Sequence, residues 1–252
     1  MESMWSSKAY VDHHLAHLEI LQRRERGILY QVERRLFGRN LISPRLSVER
    51  VLIKGVSMSF ISAVAHCLTG GVNTILDVGG GGGDNYMLCR RYLPPSRLLN
   101  WVVSDNATLW GAAAILRSLF LAPGDSLKRI EMLDKCDPST DLLILNGTLQ
   151  YLPSIEWLFQ QFGHRPNSIV LNRTVFSQDP THTVRQKAMV GEVHGQNEFF
   201  LQNTVYNESD LVNQFLRQGY VVLRHSAPLR YSLSTDQDSI EGYYRTITFV
   251  RT

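Results

Sequence analysis

The chain is predicted to be an α/β protein with a mostly parallel sheet covered by helices on both faces. Three observations predict it. Short apolar runs alternate with helical patterns from Asn73 onward. The first run ends in five consecutive glycines, Gly79 to Gly83. The first seventy residues, by contrast, carry helical spacing and no convincing strand.

The elements follow in order. Residues 8–36 read as a helix, with Val11, Leu15, Leu18, Leu29, Val32 and Leu36 spaced by threes and fours, interrupted at Gln22 and Glu25. Gly38 stops it, and Ser43-Pro44 breaks the chain. Residues 47–68 form a second helix with Val48, Leu52, Phe60, Val64 and Leu68 on one side, ended by Gly70-Gly71. Residues 1–70 are therefore expected to be a helical cap or oligomerisation segment, and 71–252 the catalytic domain. In that domain Thr74 to Val78 is the first strand, followed by a helix from Asp84 to Tyr92. Leu98 to Val103 is the second strand, and a helix runs through Leu109, Ala113, Leu116 and Phe120. Leu127 to Leu133 and Leu142 to Leu145 are the next strands, Glu156 to Phe162 a short helix, and Ser168 to Leu171 the fifth strand. Segment 177–206 is polar and irregular, long for a plain connection, and is expected to be a lid. Ser209 to Gln218 is a late helix. Tyr220–Leu223 and Ile247–Val250 close the sheet, antiparallel to each other.

Composition narrows the function classes. The chain has 252 residues, 44% of them apolar and 19% charged, which suits one large domain or a domain with a cap and not a disordered chain. A formal net charge of +3 without a Lys/Arg block argues against a nucleic-acid partner. No apolar run is long enough for a membrane span, and the N-terminus lacks the order of a secretory signal. Three cysteines, Cys67, Cys89 and Cys136, without CxxC spacing fit a reducing, cytoplasmic compartment better than a disulfide framework or zinc knuckle. His13 and His17 are i, i+4 beside Asp12 and His14, but no third ligand is in register, so a solvated helix face and no metal is expected.

The glycine turn carries the strongest chemical signal. A strand before it and a helix after it place it at the carboxyl end of the sheet, where open α/β folds bind ligands. A dinucleotide would want GxGxxG with its pyrophosphate on the helix N-terminus, and Asp77 and Asp84 would set negative charge against it. The alternative pattern DxGxGxG fits without adjustment at Asp77, Gly79, Gly81 and Gly83. Asp105, about twenty residues on, is placed to accept hydrogen bonds from ribose hydroxyls, with Ser104 or Asn106 sharing that contact; the alternative is an N-cap before the helix at Leu109. Leu133 and Asp134, after the third strand, match by position the place where enzymes with such a turn contact adenine; the alternative is an acid on a surface loop.

DxGxGxG resembles motif I of the class I S-adenosylmethionine (SAM) dependent methyltransferases, which implies a Rossmann-like fold with a mostly parallel seven-stranded sheet. Asn146, Gly147, Gln150 and Tyr151 match the short polar-aromatic motif that faces the methionine moiety in many of them. An aromatic face would hold the sulfonium by a cation–π contact of roughly 0.5–2 kcal/mol. Tyr86, Tyr151, Phe176 and Tyr206 are the candidate aromatics, and Arg173, at the end of the fifth strand, a candidate clamp for the carboxylate.

LDVGGGGGDNY, WVVSD, LNGTLQYL, LNRT, THTVRQ and VYNESDLVNQFLRQGYVVL together resemble a bacterial methyltransferase-like group over about residues 70–250. The chain departs from its pattern at Ser104-Asp105, where the acid comes one place late, at Asn146-Gly147 in place of a serine, and at Val175 in place of a proline. In or near that group are the azetidine-2-carboxylate synthases of nonribosomal peptide pathways. That resemblance implies that SAM itself is cyclised, the α-amine attacking the γ-carbon and methylthioadenosine leaving, with Asn146 orienting the amine and SAM held as a near-attack conformer. Methyl transfer to a small natural-product acceptor is the alternative, with His182 or His194 of the lid as general base. An NAD oxidoreductase and a non-catalytic SAM-binding subunit that associates through the cap remain as further classes. The expected partner is a small molecule, with no nucleic acid or membrane, and the cap leaves a homodimer open.

Overall fold

A computed structural model describes residues 58–94, 97–131, 139–189, 198–235 and 239–252. The expectations for residues 1–57, for Leu133 and Asp134, for Cys136 and for His194 fall outside the described residues.

The chain alternates as the pattern requires. Helix α1 (Met58–Thr69) leads into β1 (Thr74–Val78), α2 (Asp84–Tyr92), β2 (Asn100–Ser104), α3 (Ala107–Ala112), α4 (Ala114–Phe120) and β3 (Ser126–Ile130). Then come β4 (Leu142–Asn146), a 3-10 turn at Leu149–Tyr151, α5 (Ile155–Gln160) and β5 (Ser168–Ser177). A hairpin of β6 (His182–Met189) and β7 (Glu198–Asn207) precedes α6 (Glu208–Arg217), β8 (Tyr220–His225), β9 (Leu229–Ser234) and β10 (Ser239–Arg251).

The main path of the sheet runs β3-β2-β1-β4-β5-β10-β8. The first five strands are parallel, and β10 is antiparallel to both β5 and β8. A dinucleotide-binding Rossmann sheet in the order 3-2-1-4-5-6 keeps its strands parallel, so the inserted antiparallel strand sets this chain apart. With β6, β7 and β9 the sheet has ten strands, not the seven expected.

Burial explains the continuous apolar runs. All five residues of β1 are buried, and so are Leu142 to Leu145 of β4, because helices cover both faces of a parallel sheet. One cluster packs Phe60, Val64 and Leu68 of α1 with Trp101, Leu109, Ile144 and Val170. The opposite cluster packs Leu143, Leu171, Leu211, Phe215, Tyr220 and Phe249. The spacing of Phe60, Val64 and Leu68 is one helical face, and truncating a buried phenylalanine such as Phe60 costs about 3–5 kcal/mol. Gly71, at φ 94°, turns the chain out of α1 into β1.

Two sequence expectations are corrected. The described parts of segment 177–206 are not irregular: His182 to Met189 pairs residue by residue with Val205 to Glu198. Strand β10 begins at Ser239 rather than Ile247, and its first half pairs with β9. These strands share a third small cluster, Val175, Val205 and Leu233, against Val184, Tyr231, Ile240 and Tyr244. This smaller layer continues the carboxyl ends of β5 and β7, where Phe176 and Ser177 pair with Tyr206 and Asn207. It therefore lies on the ligand-binding side of the sheet.

Candidate functional site

The glycine turn takes a left-handed step at every second residue. Gly79, Gly81 and Gly83 have φ of 72°, 58° and 95°, conformations that side chains rarely adopt. The two glycines between them are fixed by space instead. A Cβ on Gly80 would lie 2.3 Å from Asp77 Oδ2, and one on Gly82 would lie 2.2 Å from the Ala113 Cβ. All five glycines are thus required, although the repeating pattern called for only three.

Acidic side chains surround this turn. Asp77 is fully buried beneath it and accepts hydrogen bonds from Asn85 Nδ2 at 2.9 Å and Trp101 Nε1 at 3.2 Å. Burial pushes its carboxyl up to about 7, against the pull of those two donors. Asp84, the first residue of α2, is pushed up to about 6 by burial and by the nearby Asp105. Its Oδ1 is buried without a hydrogen-bond partner among the described residues. Asp105 accepts from the Gly81 N–H at 2.6 Å and from the Asn106 N–H at 2.6 Å, and burial raises its pKa. The expected N-cap is one residue later: Asn106 accepts from the Thr108 N–H at 2.7 Å and caps α3. Asp105 is left to brace the turn. Ser104 ends β2, and its carbonyl accepts from the Gly79 N–H at 2.9 Å.

The sequence reading missed Arg117. It donates through Nη1 to the carbonyls of Gly82, at 3.1 Å, and Trp110, and stacks over the Trp110 ring at 3.6 Å. Its signal was a lone cation in the apolar stretch Ala112 to Leu121.

A chain of side-chain amides links the turn to the middle of the sheet. Asn85 donates to Asp77, Asn146 donates to Asn85 Oδ1 at 2.6 Å, Asn172 donates to Asn146 Oδ1 at 2.8 Å, and Thr246 donates to Asn172 Oδ1 at 2.8 Å. The direction follows from the donors: Asp77 accepts at Oδ1 from Asn85 and at Oδ2 from Trp101, and that orients each amide behind it. Asn146 is thereby held from both sides at the carboxyl end of β4. Asn85 and Asn172 were not singled out in the sequence, although each interrupts or borders an apolar run.

The remaining candidates divide. Gly147 has φ 71° beside Arg173, its added Cβ falling 3.8 Å from the Arg173 Cβ. Gln150 donates to the Arg173 carbonyl at 3.2 Å, and its Oε1 is buried without a partner among the described residues. The Tyr151 hydroxyl donates to Gln186 Oε1 at 3.0 Å. These residues come together. Tyr86 does not: it is sealed in the core, donating to Asp125 Oδ2 at 2.7 Å and packing edge-on against Trp101. Phe176 is stacked on Tyr243 at 5.6 Å, and Tyr206 is buried with its hydroxyl 3.4 Å from the Leu149 carbonyl. Of the four candidate aromatics only Tyr151 keeps an accessible surface beside the turn's neighbours. His182 uses Nδ1 to donate to the Pro180 carbonyl at 2.8 Å at the start of β6. Among the described residues no cluster of His, Cys, Asp or Glu could hold a metal ion, Cys67 and Cys89 are unbridged, and no helix is long and apolar enough to cross a membrane.

No protein-family model matches the chain, and neither does any curated protein. Solved structures do. The N-terminal domain of EvdMO1 with SAH bound gives a TM-score of 0.50 at 15% identity, covering 78% of this chain and 83% of that one. Magnesium protoporphyrin IX methyltransferase (ChlM) from Synechocystis PCC 6803, with bound SAH, gives 0.48 at 16% identity over 94% of this chain and 100% of that one. The Burkholderia thailandensis 1,6-didemethyltoxoflavin-N1-methyltransferase gives 0.49 at 13% identity over 85% and 92%. At these identities the likeness is one of fold, and the chain has the Rossmann-like fold of the class I SAM-dependent methyltransferases, extended to ten strands.

Proposed function

We propose that this chain binds S-adenosylmethionine over the Gly79–Gly83 turn and uses it to methylate a small-molecule acceptor held beneath the β6–β7 and β9–β10 strands. One observation carries the reading: a left-handed glycine turn bordered by the carboxyl groups of Asp77, Asp84 and Asp105. The Gly81 N–H is already taken by Asp105, and Asp84 occupies the first turn of α2, so the sites a pyrophosphate would use are filled, whereas a sulfonium ligand needs no phosphate site. The methyltransferase fold agrees with it, and the EvdMO1 domain carries SAH.

On this reading the turn approaches the adenosine through its backbone. Asp105, with Ser104 and Asn106 beside it, meets the ribose. Asn146, Gly147, Gln150 and Tyr151 face the methionine moiety. Asp77 acts from below: its hydrogen bonds fix Asn85, and through it Asn146.

Cyclisation of SAM is the second reading, favoured by the sequence motifs and by one feature of the site. Asn146 is clamped between Asn85 and Asn172, as an amide that orients an amine would need to be. The α-nitrogen would form a bond to the γ-carbon while the carbon–sulfur bond breaks, methylthioadenosine leaves and the nitrogen loses a proton to solvent.

Incubating the purified protein with SAM alone separates the readings by mass spectrometry. Bound, intact SAM is expected for a methyltransferase awaiting its acceptor. Methylthioadenosine with an equimolar four-membered amino acid would replace that reading with cyclisation. Absence of calorimetric SAM binding would overturn both.

A further inference from the structure

Strand β5 is broken at Arg173. Its φ of 54° is the single left-handed value at a non-glycine residue among the described residues. Opposite it, β10 shifts register: Thr174 pairs with Arg245 and Leu171 with Ile247, so Asn172 and Arg173 together face Thr246. This is a β-bulge whose left-handed position glycine would fill without strain. Arginine there costs about 1–2 kcal/mol of backbone strain. Such strain, where β5 runs past the end of β4, points to a functional side chain. The Arg173 side chain is exposed, and among the described residues no ion pair or hydrogen bond engages its guanidinium.

Three phenols gather on the same side. Tyr244 pairs with Val175, two residues beyond Arg173, Tyr231 pairs with Gly242 on the same hairpin, and Gln150, next to Tyr151, donates to the Arg173 carbonyl. Tyr231 and Tyr244 lie ring to ring at 4.1 Å and share a hydrogen bond between their hydroxyls. One of that pair donates, which leaves the other hydroxyl hydrogen for a ligand. Tyr151 is equally adaptable. Its acceptor, Gln186 Oε1, also receives Asn203 Nδ2 at 2.7 Å, so Tyr151 can turn its hydrogen toward a ligand without stranding Gln186. Burial keeps Tyr151 and Tyr244 protonated, hence donors.

From this arrangement we infer that Arg173, Tyr151, Tyr231 and Tyr244 form a carboxylate-binding subsite between the end of β5 and the β9–β10 hairpin. A guanidinium fork with neutral phenol donors matches a planar carboxylate. The subsite rests on the SAM-dependent reading only for its role, because it adjoins Gly147 and Gln150. Two sources share the chemistry: the carboxylate of SAM itself, or that of a second substrate.

The test titrates the full chain with benzoate and with neutral benzamide, by calorimetry, for the wild type, Arg173→Gln and Tyr151→Phe. Arg173→Gln keeps a non-glycine residue at the strained position, and a matching thermal melt shows that the fold is kept. Loss of about tenfold or more in benzoate affinity in Arg173→Gln, with a smaller loss in Tyr151→Phe and benzamide unchanged, is expected for hydrogen bonds to a charged group. Benzoate that does not bind the wild type, or binds Arg173→Gln equally well, overturns the subsite. SAM and decarboxylated SAM then identify the source. If removing the carboxylate weakens binding in the wild type and not in Arg173→Gln, the subsite holds SAM's own carboxylate. If both bind alike in both proteins, it holds the second substrate's. Benzoate binding without any SAM binding would keep the subsite and refute the SAM reading.

Discussion

Gly80→Ala is the most demanding test of the glycine turn. Gly80 lies at a position that the DxGxGxG pattern leaves free, so the pattern predicts a tolerated change. The geometry predicts a severe one. The new methyl would sit 2.3 Å from Asp77 Oδ2, and reaching even 3.0 Å needs a shift of about 0.7 Å. Asp77 cannot give way freely, because Oδ2 accepts from Trp101 Nε1 at 3.2 Å and Oδ1 accepts from Asn85 Nδ2. A further 0.7 Å would end the Trp101 bond. Overpacking costs about 1–3 kcal/mol, and a lost hydrogen bond to a charged group about 1.5–3 kcal/mol. The sum, about 2.5–6 kcal/mol, corresponds to a fall of roughly 5 °C or more in Tm for a chain of this size. Gly163→Ala is the control, since its added Cβ meets nothing within 4 Å, and it should stay within about 0.5 kcal/mol of the wild type. Differential scanning calorimetry compares them directly, and SAM titration follows. If Gly80→Ala melts with Gly163→Ala and binds SAM normally, Asp77 does not brace the turn from below.

Three further outcomes are expected. Arg173→Gly should relieve the left-handed strain and raise stability by about 1 kcal/mol in chemical denaturation while lowering turnover; a variant that is both more stable and fully active would show that the arginine has no functional part. Asp77 and Asp84, raised to about 7 and about 6 from an unfolded value near 3.9, bind protons more tightly when folded, so their contribution to stability is complete below about pH 4 and lost as pH rises toward 7; Tm measured from pH 4 to 8 should fall less steeply in Asp77→Asn, and parallel curves would contradict the assignment. Asn146→Ala should lower kcat more than SAM affinity, and unchanged steady-state turnover would remove Asn146 from the chemistry.

Much of the central sheet was legible because buried parallel strands and amphipathic helices each leave a period in the sequence. Asp84 to Tyr92 and Thr74 to Val78 have the boundaries that their patterns gave. The outer β layer was not legible for a physical reason. Strands β6 and β7 show one face to a cluster of only a few apolar residues and the other to polar groups, so their alternation is weak. The first half of β10 contains Glu241 and Gly242, which mask a strand from any rule based on apolar runs. The reason for Gly242 is tertiary: a Cβ there would lie 2.5 Å from the Phe176 carbonyl oxygen.

The site was half legible, and the division follows from how local rules fail. Gly79, Gly81 and Gly83 announce themselves because left-handed backbone demands glycine. Asn172, Arg117 and Arg173 announce themselves only as residues out of place: an amide inside a buried strand, a cation inside an apolar helix, and an arginine where a bulge wants glycine. Each breaks its local rule, and each touches the turn, the amide chain or the Gly147–Gln150 loop. Sequences violate local preference where another demand outweighs it. The aromatics show the converse. Tyr86 and Phe176 obey their local rules, since apolar positions of a helix and a strand belong in the core, and the core is where they lie. Tyr151 stands on a turn between β4 and α5, where no packing rule requires an aromatic, and its hydroxyl faces Gln186 across the strand layer. The departure from local expectation therefore separates the functional candidates from the structural ones better than residue type does.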